Sequence, residues 1–192
     1  MAESLFPHLK WEQLWAATQE TLYMTALSGA ATFVLGILLG LALFLTARGG
    51  LFQNRALYSV ISILVNVFRS IPFIILIVLL IPFTKAIVGS ILGANAALPA
   101  LIVGAAPFYA RLVEIALREV DKGVIEATRS MGARLGTLVF RVLLPESSPA
   151  LVSGITVTLI ALVSYSAMAG VIGAGGLGLS LIHISEPTRR RG

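Results

Sequence analysis

The chain alternates long apolar runs with short polar ones, and the runs are helix-sized. From Thr21 to Ala47 no residue is charged, enough for one membrane-spanning helix, which takes about 20 residues. Arg48, Gly49, Gly50, Asn54 and Arg55 follow as a polar turn. A second run, Ala56 to Thr84, is interrupted only by Arg69. Because Ser70 to Thr84 alone is too short to span, the pattern predicts a helix reaching back through Asn66 and Arg69, kinked where Pro72 removes a backbone donor. Lys85, Gly89, Gly93 and Asn95 mark the next turn, and Ala86 to Ala110 supplies a third span made irregular by Pro99 and Pro107. Arg111 opens a charged region whose body is Val120 to Glu146. Ser147 to about Met168 reads as a fourth span starting near Pro149, after which Gly170 to Gly178 is too rich in glycine to be read as helix. Met1 to Glu20 mixes Phe6, Trp11 and Trp15 with charges and lacks the basic start and cleavage site of a signal peptide, so it reads as an interfacial lead-in.

Composition sharpens this into a class. The chain is 57% hydrophobic and 12% charged, against roughly 25% charged in soluble domains. It is therefore predicted to be an all-α integral membrane protein. There is no cysteine, and His8 and His183 are too far apart in sequence to suggest a metal centre. The net charge of +5 could suggest nucleic acid, but in a membrane protein basic residues more often mark cytoplasmic loops. Arg48, Arg55, Arg111, Arg118, Lys122, Arg129, Arg134 and Arg141 fall on one side, Lys10 and Lys85 on the other. The loops after the first and third spans are thus expected in the cytoplasm, with the amino terminus outside.

Few motifs carry chemistry. Gly173, Gly175 and Gly178 match GxGxxG, yet the preceding strand and later acidic residue of a dinucleotide site are missing. Glu114, Glu119, Asp121, Glu126 and Glu146 read as a solvated face rather than as catalytic acids. No nucleophile elbow, HExxH or phosphate-cradling loop occurs, so the chain is expected not to be an enzyme and to draw its energy from elsewhere. Gly36 and Gly40 form a GxxxG face for close helix approach. Arg69, near a membrane helix, is either a functional group or a residue snorkelling at a helix end. Within the charged region, a short helix over Val124 to Met131 would display Ile125, Ala127 and Met131 for docking. Gly132 would be its left-handed stop, and a second helix would run to a break near Pro145.

Glu126-Ala127-Thr128, then Gly132, then Val142, Leu143, Leu144 and Pro145 resemble the EAA loop of ABC importer permeases. NVFRSIPFIILI from Asn66, VGAAPFYARLVE from Val103, EATRSMGA from Glu126 and SYSAMAGVIGAGGLG from Ser164 are similar to the permease subunits of bacterial methionine importers. The resemblance implies a polytopic bundle of the type I importer kind, a permease domain over 1–180, and a coupling loop over about 120–146. It also implies a homodimer in the bacterial inner membrane, two cytoplasmic ATPase subunits that carry the ATP and magnesium, and an extracytoplasmic methionine-binding protein; this chain itself would hold no cofactor. The coupling residues would be Glu126, Ala127, Gly132, Leu144 and Pro145. For the substrate path the candidates are Arg69, Ser70, Tyr165, Ser166 and Met168, the last three pairing polar handles with a polarizable surface suited to a thioether, or else simply packing helices. Such permeases usually have five spans, whereas four are counted here. Leu181 to Gly192 departs from the family's continuation and is expected to be a truncation artefact or out-of-frame sequence. Alternatives are a non-transporting scaffold that docks an ATPase, a permease for another small amino acid, and a self-sufficient ion-coupled carrier, which would need carboxylates inside its spans.

Overall fold

The computed structural model describes residues 11–185, with side chains through 180, and all regular structure among them is helical. The first helix, α1, runs unbroken over Trp11–Thr46. The expected lead-in is thus already helical from Trp11, because residues 11–20 contain no glycine or proline to stop it. Helix α2 covers Arg55–Ser70, its start satisfied by the Asn54 side chain, which accepts from the Leu57 amide at 3.1 Å. It carries back through Asn66 and Arg69 as expected, then stops. Pro72 is extended (φ −56°, ψ 137°), and α3 begins after it at Phe73–Leu79. A second short helix, α4, occupies Ile81–Val88 and ends on Gly89 at φ 78°.

The third span is α5, Ala94–Arg118, displaced toward the carboxyl end from the expected Ala86 to Ala110. Two causes account for the shift. Gly89 and Gly93 take positive φ and end the preceding turn, while Arg111 and Arg118 each pair with Glu114 along the helix and so favour its continuation. Helix α5 stays helical through both Pro99 and Pro107. Helix α6 spans Lys122–Ser130 and α7 Leu135–Leu138, followed by a π-helical turn at Val139–Leu143, the brief α8 at Leu144–Glu146, and α9 at Ser148–Ala169. The glycine-rich stretch is helical only in part: the π-helical turn Gly170–Ala174 is kinked at Gly173 (φ 99°), Gly175 takes φ 85°, and α10 then covers Gly176–Ser185. Among the described residues three helical stretches, Trp11–Thr46, Ala94–Arg118 and Ser148–Ala174, are long and apolar enough to span, and α2 with α3 makes a fourth if they form one broken span. Part of the unusual tail, from Glu186 on, and His8 lie outside the described residues, as does the His183 side chain.

The chain forms two compact units. One combines the described part of Met1–Ala30 with Ile71–Gly104 and the described part of Leu159–Gly192. Here the Phe73 and Tyr165 rings stack at 4.6 Å, and the Tyr23 hydroxyl donates to Asn95 Oδ1 at 3.0 Å. The start of α10 is held by α1: the Gly176 amide donates to Glu20 Oε2 at 2.7 Å and the Leu177 amide to Thr21 Oγ1 at 3.0 Å. These acceptors stand in for the missing intrahelical partners, which is why glycine richness did not prevent a helix.

The other unit joins Ala31–Ser70 with Ala105–Thr158. Its core is Tyr109, Val113, Leu117, Leu138, Leu143 and Leu151. The GxxxG face of α1 packs here, Gly36 against Tyr109 and Gly40 against Val113 and the Ala110 carbonyl. A Cβ at Gly40 would come within 2.5 Å of Val113. Gly40→Val is therefore expected to destabilise the bundle by about 1–3 kcal/mol or more through overpacking, read as a lowered melting temperature in detergent. An unchanged melting temperature would refute this packing.

Candidate functional site

The region between α5 and α9 is built on capping. Asp121 precedes α6, and its Oδ1 accepts from the Gly123 and Val124 amides at 2.6 and 3.2 Å. Sequence reasoning counted Asp121 only as a solvated carboxylate, although an aspartate just before a helical segment is the usual N-cap signal. Gly132 ends the helix at φ 78°, the left-handed stop expected of it. Asp121→Ala is expected to weaken α6 by about 1 kcal/mol, seen as faster hydrogen exchange of the Gly123 to Ala127 amides; unchanged exchange would argue against the cap.

Between these ends α6 presents two faces. Ile125 is half-buried against the core of its unit. This corrects the expectation that Ile125 is displayed: a β-branched apolar side chain beside a core gains more from burial than from exposure. The outward stripe is instead Val124, Ala127 and Met131, spaced three and four residues apart, with Met131 80% exposed. Glu126 is exposed beside the stripe.

No clean break occurs at Pro145. Helix α7 widens into the π turn, in which the Leu144 amide reaches the Val139 carbonyl, and Pro145 sits in the first turn of α8. The proline has no amide to donate, so the widened turn upstream absorbs its misfit. Leu144 is half-buried and Pro145 exposed. Leu138, Val139 and Leu143 point into the core, and the whole segment is thereby anchored to it.

A second feature escaped the sequence reading. Glu114 is only 2% exposed, not part of the solvated face to which it was assigned; Glu119, Asp121, Glu126 and Glu146 are exposed. Its carboxylate accepts from Arg111 Nη1 at 2.5 Å and Arg118 Nη2 at 2.7 Å. From α2 the Tyr58 hydroxyl approaches Glu114 at 3.3 Å, and Ser62 and Asn66 accept from Arg111 Nη2 at 3.0 and 2.9 Å. Two signals were available: arginines three residues before and four after one glutamate, and a polar row on α2 at four-residue spacing.

The substrate-path candidates are placed as follows. Arg69 and Ser70 end α2 and are exposed, Arg69 with its guanidinium 5.9 Å from the Phe108 ring centre and Ser70 donating to the Asn66 carbonyl at 2.8 Å. Tyr165, Ser166 and Met168 belong to the other unit. There Tyr165 is half-buried on Phe73, Ser166 is buried and donates to the Val163 carbonyl at 2.7 Å, and Met168 is exposed.

Apolar helices of spanning length, joined by a short capped helix that packs Ile125 on the core and leaves Val124, Ala127 and Met131 exposed, define an integral membrane protein with a surface helix between its spans. The chain belongs to the family of binding-protein-dependent transport system inner membrane components, whose model matches residues 32–189. It is 65% identical to the methionine import system permease protein MetP of Bacillus subtilis over 93% of this chain and 80% of that one. Against the D-methionine transport system permease protein MetI of Escherichia coli K12, identity is 55% over 79% of this chain and 70% of the other. Among solved structures, an inward-facing conformation of the MetNI methionine ABC transporter superposes with a TM-score of 0.89 at 50% identity, covering 92% of this chain and 82% of that one. An amino acid ABC transporter at 22% identity and a TM-score of 0.74 shares the fold.

Proposed function

We infer that this chain is the permease subunit of an ATP-driven methionine importer of the bacterial inner membrane, working as a homodimer. ATP is hydrolysed by a cytoplasmic ATPase partner, and methionine is delivered by an extracytoplasmic binding protein. The loops holding Arg48 and α6 lie in the cytoplasm and the amino terminus outside, as the distribution of basic residues favours. The observation that carries this reading is α6. Its inner side chain, Ile125, is tied to the core, while Val124, Ala127 and Met131 face outward, so a force applied to the stripe moves the spans behind it. Closure of the ATPase thereby becomes helix rotation, a rigid-body coupling. Ala127 and Gly132 permit close approach, Glu126 pairs locally with the partner, and Leu144 and Pro145 close the segment.

For the path we retain Arg69, Ser70, Tyr165, Ser166 and Met168, with Tyr165 and Met168 best suited to a thioether. The test is reconstitution of the permease with its ATPase in liposomes. Methionine uptake that needs magnesium-ATP and the binding protein is expected; assembly with the ATPase but no uptake would favour a docking scaffold instead, and uptake driven by an ion gradient alone would overturn the reading.

A further inference from the structure

The unit that holds α6 also contains a basic cavity of about 520 Å³ between the turn after α1 and the start of α6. Four basic residues, Arg48, Arg118, Lys122 and Arg129, line it, with Glu126 as the single acidic residue among them. Arg118 is committed to Glu114, whereas Arg48, Lys122 and Arg129 have no ion pair among the described residues. The walls include apolar Phe44, Leu117 and Val120. An adjoining cavity of about 380 Å³ shares Arg48 and Arg118 and adds Arg55 and the Ser59 hydroxyl.

Basic residues of a membrane rim ordinarily stand apart in water, where mutual repulsion is smallest. Here they line one concavity without enough acid to neutralise them, which leaves room for an anion. The apolar run of α1 ends at Ala47, directly before Arg48, which favours that wall of the cavity lying near the membrane edge, and its half-apolar lining suits the glycerol end of a lipid better than a fully hydrated ion. We propose that this cavity binds the phosphate of an anionic phospholipid headgroup, with Arg48 and Lys122 as its principal ligands. Such a lipid would bridge the turn after α1 to α6, so that bilayer composition bears on how firmly α6 is held.

The test uses the purified permease–ATPase complex in mixed micelles, with lipid retention read by native mass spectrometry. The wild-type complex is expected to retain phosphatidylglycerol in preference to phosphatidylcholine. In the Arg48→Gln, Lys122→Gln double variant that preference falls by about thirtyfold, two basic residues near the headgroup surface contributing about fivefold each. The competition on wild-type protein needs no variant and so stands even if the double variant fails to assemble. Millimolar glycerol phosphate separates the sources: if it leaves phosphatidylglycerol bound, the ligand is the membrane lipid, and if it displaces the lipid without acyl chains of its own, the same phosphate site serves a soluble ester. Equal retention of the two lipids by the wild type overturns the proposal. So does a double variant that keeps its preference but loses the ATPase, which would assign these charges to the protein interface.

Discussion

Aspartate in place of Ala127 is expected to lower ATP-driven methionine uptake by at least about tenfold, with the permease still folded and inserted. Ala127 lies at the centre of the outward stripe and is exposed, so the substitution removes no internal contact, and exposed changes of this sort usually alter stability by about 0.5 kcal/mol or less. In the proposed assembly the same position is covered by a groove of the ATPase. A carboxylate pressed there without a partner loses its water, and about 1.4 kcal/mol of lost docking is already tenfold. Gly132→Val tests the same joint from its end, because a β-branched residue at φ 78° is strained even though the space around Gly132 is open. Glu126→Lys tests it through charge, and Gly132→Asp is expected to uncouple as well. The measurement is uptake in proteoliposomes beside the amount of ATPase retained on the permease. Wild-type uptake by Ala127→Asp would show that α6 is not where the partner docks.

Glu114→Ala should destabilise the fold strongly, by about 3 kcal/mol. The glutamate carboxylate is 2% exposed and Arg111 19% exposed, so removing the acid leaves a mostly buried guanidinium with only the neutral Ser62 and Asn66 oxygens. Breaking a buried pair from one side costs about 3–5 kcal/mol. The share belonging to Arg118 is small because that side chain is 49% exposed and water screens it, which places the expected cost near the lower end, about 3 kcal/mol. Glu114→Gln, which keeps an acceptor oxygen, should lose less. Thermal unfolding in detergent distinguishes the two, and an alanine variant that melts with the wild type would mean the cluster contributes nothing.

These two sites differ in how far they could be read from the chain. The Glu126–Gly132 segment was legible because its signals are local: the Glu-Ala pair, the glycine whose missing Cβ permits positive φ, and the flanking charge. The facing of α6 was not legible, since Val124 and Ile125 are both apolar and only the core of their unit decides which one turns inward. Glu114 was misread for a similar reason. Its neighbours in sequence are basic and suggest a wet surface, but Tyr58, Ser62 and Asn66 arrive from 56, 49 and 45 residues away along the contacts with Glu114 and Arg111.

What the sequence by itself determined is what depends on neighbouring residues: the all-helical class of the described residues, apolar runs of spanning length, the polar turns between them, and the stop at Gly132. Hydropathy and backbone sterics act along the chain and leave their mark in composition and period. The tertiary structure alone decided that α10 could begin on amides held by Glu20 and Thr21 of α1, and that Glu114 is buried where Tyr58, Ser62 and Asn66 of α2 meet it and Arg111. Each of these depends on satisfying a polar or packing requirement with a partner from another helix, and such partners meet only once the chain has folded.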